Sequence, residues 1–158
     1  MQWAGLIAAN TSVLDVAAGS GRHSRFFAER GHKVTALDHD TGRLAPYPGV
    51  EIVHAELEDG SPWPLPGRTF AAVIVTNYLH RPLFPTLLDA LAPGGVLLYE
   101  TYMEGNERFG EPSRPAFLLK DGELLDLARG RLSVTAYEAR MISEPRMAMV
   151  QRIAARRP

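Results

Sequence analysis

The sequence predicts a three-layer α/β fold with a mostly parallel seven-stranded sheet that ends in an antiparallel β-hairpin. Three observations carry this. Short apolar runs alternate with helix-forming stretches from Ser12 to Ala128. The first run, Val13-Leu14-Asp15-Val16, ends in the small-residue turn Ala17-Ala18-Gly19-Ser20-Gly21, a strand-turn-helix arrangement that lets a ligand approach the backbone. The last two runs, Leu132–Met141 and Met147–Ile153, are separated only by Ser143-Glu144-Pro145-Arg146, a connection short enough for antiparallel pairing.

Taken in order, residues 2–9 are expected to form a short helix packed ahead of the first strand, Ser12–Val16. The turn then opens a helix from Arg22 to about Arg30, closed at Gly31, and a second strand, Lys33–Leu37, delivers Asp38. Thr41 starts a brief helical turn that Pro46 and Pro48 break. The third strand is Val50–His54. Residues 59–69, with three prolines and two glycines, read as irregular loop. The fourth strand, Phe70–Thr76, is almost wholly apolar, as a strand buried on both faces should be. A helix follows over Leu83–Leu91, with Pro85 in its first turn, and Pro93-Gly94-Gly95 ends it. The fifth strand is Val96–Glu100, and a polar stretch (102–119) leads into a helix around Gly122–Ala128. The region 41–69 lacks a full crossover helix, so one sheet face is expected to be thinly covered.

Composition narrows the function. The chain has 158 residues, 46% of them hydrophobic, consistent with one domain over 1–158 and a packed core. A net charge of −1 offers no general attraction to nucleic acid or to an anionic membrane. Arg152, Arg156 and Arg157 are too few to change that and read as a solvated tail. No run is long and apolar enough to span a bilayer, and no secretory signal is visible. Zero cysteines exclude disulfides, thiolate metal sites and a Cys nucleophile, and the five histidines lack ligand spacing, so no metal is expected. A cytoplasmic enzyme or binding domain, monomer or homodimer, is the expectation.

Right-handed crossovers gather the strand C-termini on one edge, where ligands bind. Three carboxylates should meet there: Asp15 after the first strand, Asp38 after the second and Glu56 after the third, with Asn77 and Tyr78 following the fourth. Acids beside the turn would repel a pyrophosphate, and Gly19-x-Gly21-x-x-Ser24 lacks the third glycine of the dinucleotide fingerprint. S-adenosylmethionine suits the pattern better, because it carries an ammonium and a sulfonium and no phosphate. An acid after the second strand can accept both ribose hydroxyls, and an acid after the third can accept from the adenine amino group. Glu58 and Asp59 share the loop with Glu56 and compete for that role.

These segments resemble the class I (seven-strand, Rossmann-like) S-adenosylmethionine-dependent methyltransferases over nearly the whole chain. The resemblance rests on Val13–Gly21, on Val34-Thr35-Ala36-Leu37-Asp38, on His54-Ala55-Glu56-Leu57 and on Leu91-Ala92-Pro93-Gly94-Gly95-Val96-Leu97-Leu98, with the terminal hairpin as the family's reversed strand pair. Among members the chain is similar to small bacterial methyltransferases of the tellurite-resistance-like, small-molecule type. The resemblance implies that Asp15 and the backbone of Ala17, Gly19 and Gly21 hold the methionine end. It further implies Asp38 on the ribose, Glu56 with the Leu57 amide on the adenine, and the Asn77 carbonyl under the methionine amino group. S-adenosyl-L-homocysteine would be the product. Three features depart from the family. Ala17 stands where a glycine is usual, which asks that the position not need a positive φ. Ala71 replaces an Asp that often follows the first Phe of the fourth strand. Few residues precede the first strand where many members carry lid helices, so a reduced N-terminal lid is expected.

For methyl transfer the candidates on the acceptor side are His80, Tyr78 and Tyr102, with Asn106, Arg108 and Arg114 beyond them. A neutral imidazole at His80 suits proton acceptance, and the arginines suit an anionic acceptor. Each also has an ordinary structural reading, as a rim or satisfied polar group. Arg22-His23 can face a ligand anion or water, whereas Phe26 and Phe27 read as core. The missing Cys argues against pyrimidine C5 methylation. Asn77-Tyr78-Leu79-His80 is not the Pro-Pro-aromatic run of base amino-methylation. The expected partner is therefore a small-molecule acceptor rather than nucleic acid. The competing readings are a non-catalytic S-adenosylmethionine-binding module or partner subunit, and a nicotinamide-dependent dehydrogenase.

Overall fold

A computed structural model describes residues Met1–Pro158. The seven strands are β1 (Ser12–Val16), β2 (Lys33–Asp38), β3 (Val50–His54), β4 (Phe70–Thr76), β5 (Leu91–Tyr102), β6 (Ser133–Ile142) and β7 (Ala148–Arg156). They form one sheet in the order β3-β2-β1-β4-β5-β7-β6. The first five are parallel, and β7 runs antiparallel between β5 and β6. The order reverses direction between β1 and β4, the switch point at which α/β sheets open a crevice. Strands β1 to β4 begin and end within one residue of their sequence-predicted bounds, because each is an apolar run bounded by turn residues.

Three α-helices complete the layers: α1 (Arg22–Ala28), α2 (Phe84–Asp89) and α3 (Glu123–Ala128). On one face α2, α3 and the 59–69 loop cover a core of twenty buried residues, including Leu65, Leu87 and Leu124. On the other face α1 and the N-terminal segment cover only nine, centred on Phe27 and Ile74. The thin face is thus the one α1 covers. No α-helix lies between β2 and β3 or between β3 and β4, where a single 3-10 turn (Thr41–Arg43) and the Pro-rich loop make the crossings. No helix is long and apolar enough to cross a membrane.

Three expectations need correction. Residues 2–9 form only one 3-10 turn, Ala4–Leu6, since Gly5 and an eight-residue span hold too little backbone pairing for an α-helix. Pro93-Gly94-Gly95 does not precede β5 but lies inside it: Leu91 already pairs with Phe70, the register then shifts, and Val96 pairs with Ala72. At Gly95 this kink folds backbone onto itself, and a Cβ would sit 2.7 Å from the Ala92 carbonyl oxygen and 3.0 Å from that of Phe70. Arg152, Arg156 and Arg157 are no solvated tail. Arg152 Nε pairs with Glu100 at 2.5 Å, Arg156 donates to the carbonyls of Gly94 and Leu6, and Arg157 donates to that of Leu91. Their positions on β7 and at its end, beside β5, bring them within reach of these acceptors.

Candidate active site

The turn after β1 is built from backbone. Its Ala18 N–H donates to the Leu37 carbonyl at 3.0 Å, and the Gly21 N–H to that of Ala18 at 2.9 Å. Ala17, Gly19 and Gly21 have φ of 54°, 59° and 83°. Ala17 therefore does occupy the left-handed region, contrary to expectation, at a cost of roughly 1–2 kcal/mol relative to a right-handed residue. Gly21 caps α1 from behind the ligand face, where a Cβ would meet Leu44 at 2.9 Å.

Two carboxylates are set by this turn. Asp15 is 2% exposed and points toward α1, whose Ser24 hydroxyl donates to its Oδ2 at 2.6 Å. Burial pushes its pKa up to about 6, the Asp38 charge adds to the shift, and Ser24 opposes it. Asp38 is also buried, and its two oxygens each accept a backbone N–H at 2.8 Å, Oδ2 from Gly19 and Oδ1 from Asp40. It thereby ties the β1 turn to the end of β2, and each oxygen keeps a lone pair for a ligand.

Around these two acids lies a cavity of about 660 Å³, within the size range of small-molecule sites. Asp15, Ala17, Gly19, Asp38, Glu56, Leu57 and Asn77 all line it; of the predicted cofactor set only Gly21 does not. Glu58 lines it as well, so the choice after β3 narrows to Glu56 and Glu58. Asp59 is spent on a turn, accepting from the Ser61 N–H at 2.8 Å. Asn77 has φ 54°, its N–H donates to the Glu100 carbonyl at 2.9 Å, and its own carbonyl stays at the cavity end of β4.

Sequence reasoning missed Thr76, Arg43 and His39 in the wall and left Arg22 and His23 undecided. Thr76, the last residue of β4, lines the cavity with a buried hydroxyl that has no partner. Nothing in its identity marks it, and only its neighbour Asn77 pointed there. Arg43 also lines the cavity. His23, weighed between ligand and water, faces the cavity; burial first, then the charge of Arg22, lowers its pKa to about 4. Its imidazole is therefore neutral, and Nε2 accepts from Arg22 Nη2 at 3.2 Å.

The acceptor-side residues separate. Tyr78 lines the main cavity, and burial, reinforced by Glu58, Glu56 and Asp38, raises its phenol pKa, so it serves as a neutral hydroxyl. His80 faces an adjoining cavity of about 240 Å³ that shares Glu56 and Leu57 with the first, and its Nδ1 lies 3.4 Å from Glu58. Tyr102 is not in the main cavity's wall; its hydroxyl accepts from Arg146 at 3.1 Å. Asn106 is buried and used up, donating to the Pro112 carbonyl and accepting from the Met149 N–H. Arg108 Nε donates to the Gly105 carbonyl, a local loop contact.

Four carboxylates around one cavity fit a ligand with cationic and hydroxyl groups and disfavour phosphate. The unpartnered Thr76 hydroxyl lines the same cavity as Asp15 and fits an ammonium donor there. A sheet switch point, a left-handed backbone turn and an acid at the end of β2 together define a Rossmann-like nucleoside-ligand protein. The chain belongs to the methyltransferase-domain family, whose model matches residues 13–95.

It is 31% identical over 146 residues to a malonyl-[acyl-carrier protein] O-methyltransferase of Serratia marcescens, covering 85% of this chain and 56% of that protein. It is 34% identical over 92 residues to a trans-aconitate 2-methyltransferase of Acidovorax sp. (strain JS42), covering 54% of this chain and 36% of that one. Among solved structures, TehB from Haemophilus influenzae superposes with a TM-score of 0.79 at 16% identity, over 99% of this chain and 60% of that chain. The chain thus spans about half or less of the length of these curated relatives.

Proposed function

We propose that this chain is an S-adenosylmethionine-dependent methyltransferase acting on a small-molecule acceptor, with one cofactor-binding domain over residues 1–158. The observation that carries the reading is the convergence of Asp15, Asp38, Glu56 and Glu58 on one cavity beside a bare left-handed turn. The two curated relatives, named for malonyl-[acyl-carrier protein] and trans-aconitate methylation, support a carboxylate-bearing acceptor. The net charge of −1 favours a small molecule over nucleic acid, and we place the protein in the cytoplasm.

When bound, S-adenosylmethionine supplies a methyl group already activated on its sulfonium. The protein's own work is positioning. Asp15 and the Thr76 hydroxyl take the ammonium, with the Asn77 carbonyl beneath it. The turn amides and Arg22, which has no carboxylate partner, take the amino-acid carboxylate. Asp38 accepts the ribose hydroxyls while its Gly19 and Asp40 bonds hold it in place. Glu56 and the Leu57 amide address the adenine edge, with Tyr78 against it. A carboxylate acceptor arrives ionised, so no base has to remove a proton from it. His80, paired with Glu58 in the adjoining cavity, orients the loop after β3 and provides a base if the acceptor carries a proton.

Calorimetry with S-adenosylmethionine and S-adenosylhomocysteine tests the site. Asp38→Ala removes the acceptor for two backbone N–H groups and for the ribose, and the affinity should fall about 100-fold or more. Unchanged affinity removes Asp38 from the cofactor site. Incubation with a panel of small carboxylic acids then separates enzyme from binding module, since only an enzyme releases S-adenosylhomocysteine.

A further inference from the structure

The sheet ends at β6, which pairs with β7 alone. This edge strand is ten residues long, and outside its ladder with β7 no backbone hydrogen bond reaches residues 133–142. Its outer row of N–H and C=O groups is therefore open. The opposite edge, β3, is half that length, with five residues. Edges of this kind are normally shortened, covered, charged, or broken by proline or a bulge; β6 is long, uncovered and free of proline, its charges are Glu138 and Arg140, and its one irregularity lies near its start, between Val134 and Ala136.

Two features mark what the edge fits. Three of the large hydrophobic residues left exposed, Val134, Met141 and Met147, lie on the β6–β7 hairpin or its turn. The charges along the strand are also self-complementary. In an antiparallel pair of identical strands with the two-fold axis at Ala139, Glu138 stands opposite Arg140 of the second copy, and the pairing occurs twice. On the other side of the pleat the same register sets Met141 opposite Tyr137, a thioether against an aromatic ring, while Ala136 stands opposite Ile142 on the face of the charged pair. Arg140 has no carboxylate within 4.0 Å in its own chain, and its Nε makes only a long 3.4 Å contact with the Met141 carbonyl. Glu138 is 3.4 Å from Arg152 and 3.2 Å from Gln2, and both of its oxygens retain acceptor capacity.

We infer that β6 is a homodimer interface, in which two copies join edge to edge about Ala139 into one continuous sheet. The pairing lies at the far end of the sheet from β2 and β3, so it leaves the cavity open.

Sedimentation equilibrium on the full chain tests this. Wild type should sediment at twice the chain mass. R140E sets Glu138 against a second acid, and E138R sets Arg140 against a second base, so each variant alone should sediment as a folded monomer by circular dichroism. Mixed one to one, the two variants restore opposite charges across the axis and should return to the dimer mass. The inference falls if wild type stays monomeric at high protein concentration, if either variant alone dimerises like wild type, or if the two folded variants fail to combine.

Discussion

Asp15→Asn should make the ligand-free protein more stable while it cripples cofactor binding. A carboxylate with its pKa raised from 3.8 to about 6 prefers its proton in the folded state. Its stabilising contribution is therefore full below the unfolded pKa and is lost as pH rises through 6. Above that, the buried charge costs up to about 3 kcal/mol relative to the protonated form. Asparagine keeps an oxygen to accept from Ser24 and carries no charge to bury.

The assay is urea denaturation of both proteins without ligand, from about pH 4 to about pH 8. The stability of the variant minus that of wild type should climb with pH and level off at roughly 1–3 kcal/mol above pH 6, a rise of several degrees in Tm. His23 titrates in both proteins and drops out of the difference. S-adenosylmethionine should then stabilise wild type strongly at neutral pH and the variant little, because only ionised Asp15 pairs with the ammonium. If the variant is no more stable at about pH 8 than at about pH 4, relative to wild type, then Asp15 carries no buried charge penalty and the reasoning fails.

The same group predicts the pH dependence of binding: the dissociation constant of S-adenosylmethionine, followed by calorimetry, should rise about tenfold per pH unit below pH 6. A flat profile would separate Asp15 from the ammonium. Gly95→Ala forces a Cβ against two backbone carbonyl oxygens in the β5 kink and should cost roughly 2–3 kcal/mol in denaturant unfolding, with the cofactor site unaltered in the surviving folded protein. Ala17→Gly relieves a left-handed alanine at the expense of unfolded-chain entropy, a net gain of about 0.5 kcal/mol measurable as a small rise in Tm; a loss of stability would show that the Ala17 methyl packs usefully in the turn.

Much of this protein follows from local sequence. Apolar runs such as Phe70–Thr76, bounded by turn residues, state a buried strand without reference to anything distant. The Gly19–Gly21 turn likewise states its own backbone demands. An acid at the end of each of β1, β2 and β3 reaches the site because parallel strands must all point one way, and so Asp15, Asp38 and Glu56 were readable together.

Packing across the molecule decided the rest. That Ala17 adopts a positive φ depends on Ala18 docking on Leu37, which residue 17 does not encode. That Pro93-Gly94-Gly95 kinks a strand instead of ending a helix depends on β4 pairing on both sides of it, Phe70 with Leu91 and Ala72 with Val96. Arg152, Arg156 and Arg157 look like tail residues until β7 inserts beside β5 and offers them carboxylate and carbonyl partners. Thr76, Tyr102 and Asn106 all lie at or just past strand ends, yet the folded chain leaves the first without a partner in the cavity wall and spends the other two on loop contacts. Side-chain identity states what a residue can bond to. Which partners come within about 3 Å is settled only when distant segments share one surface.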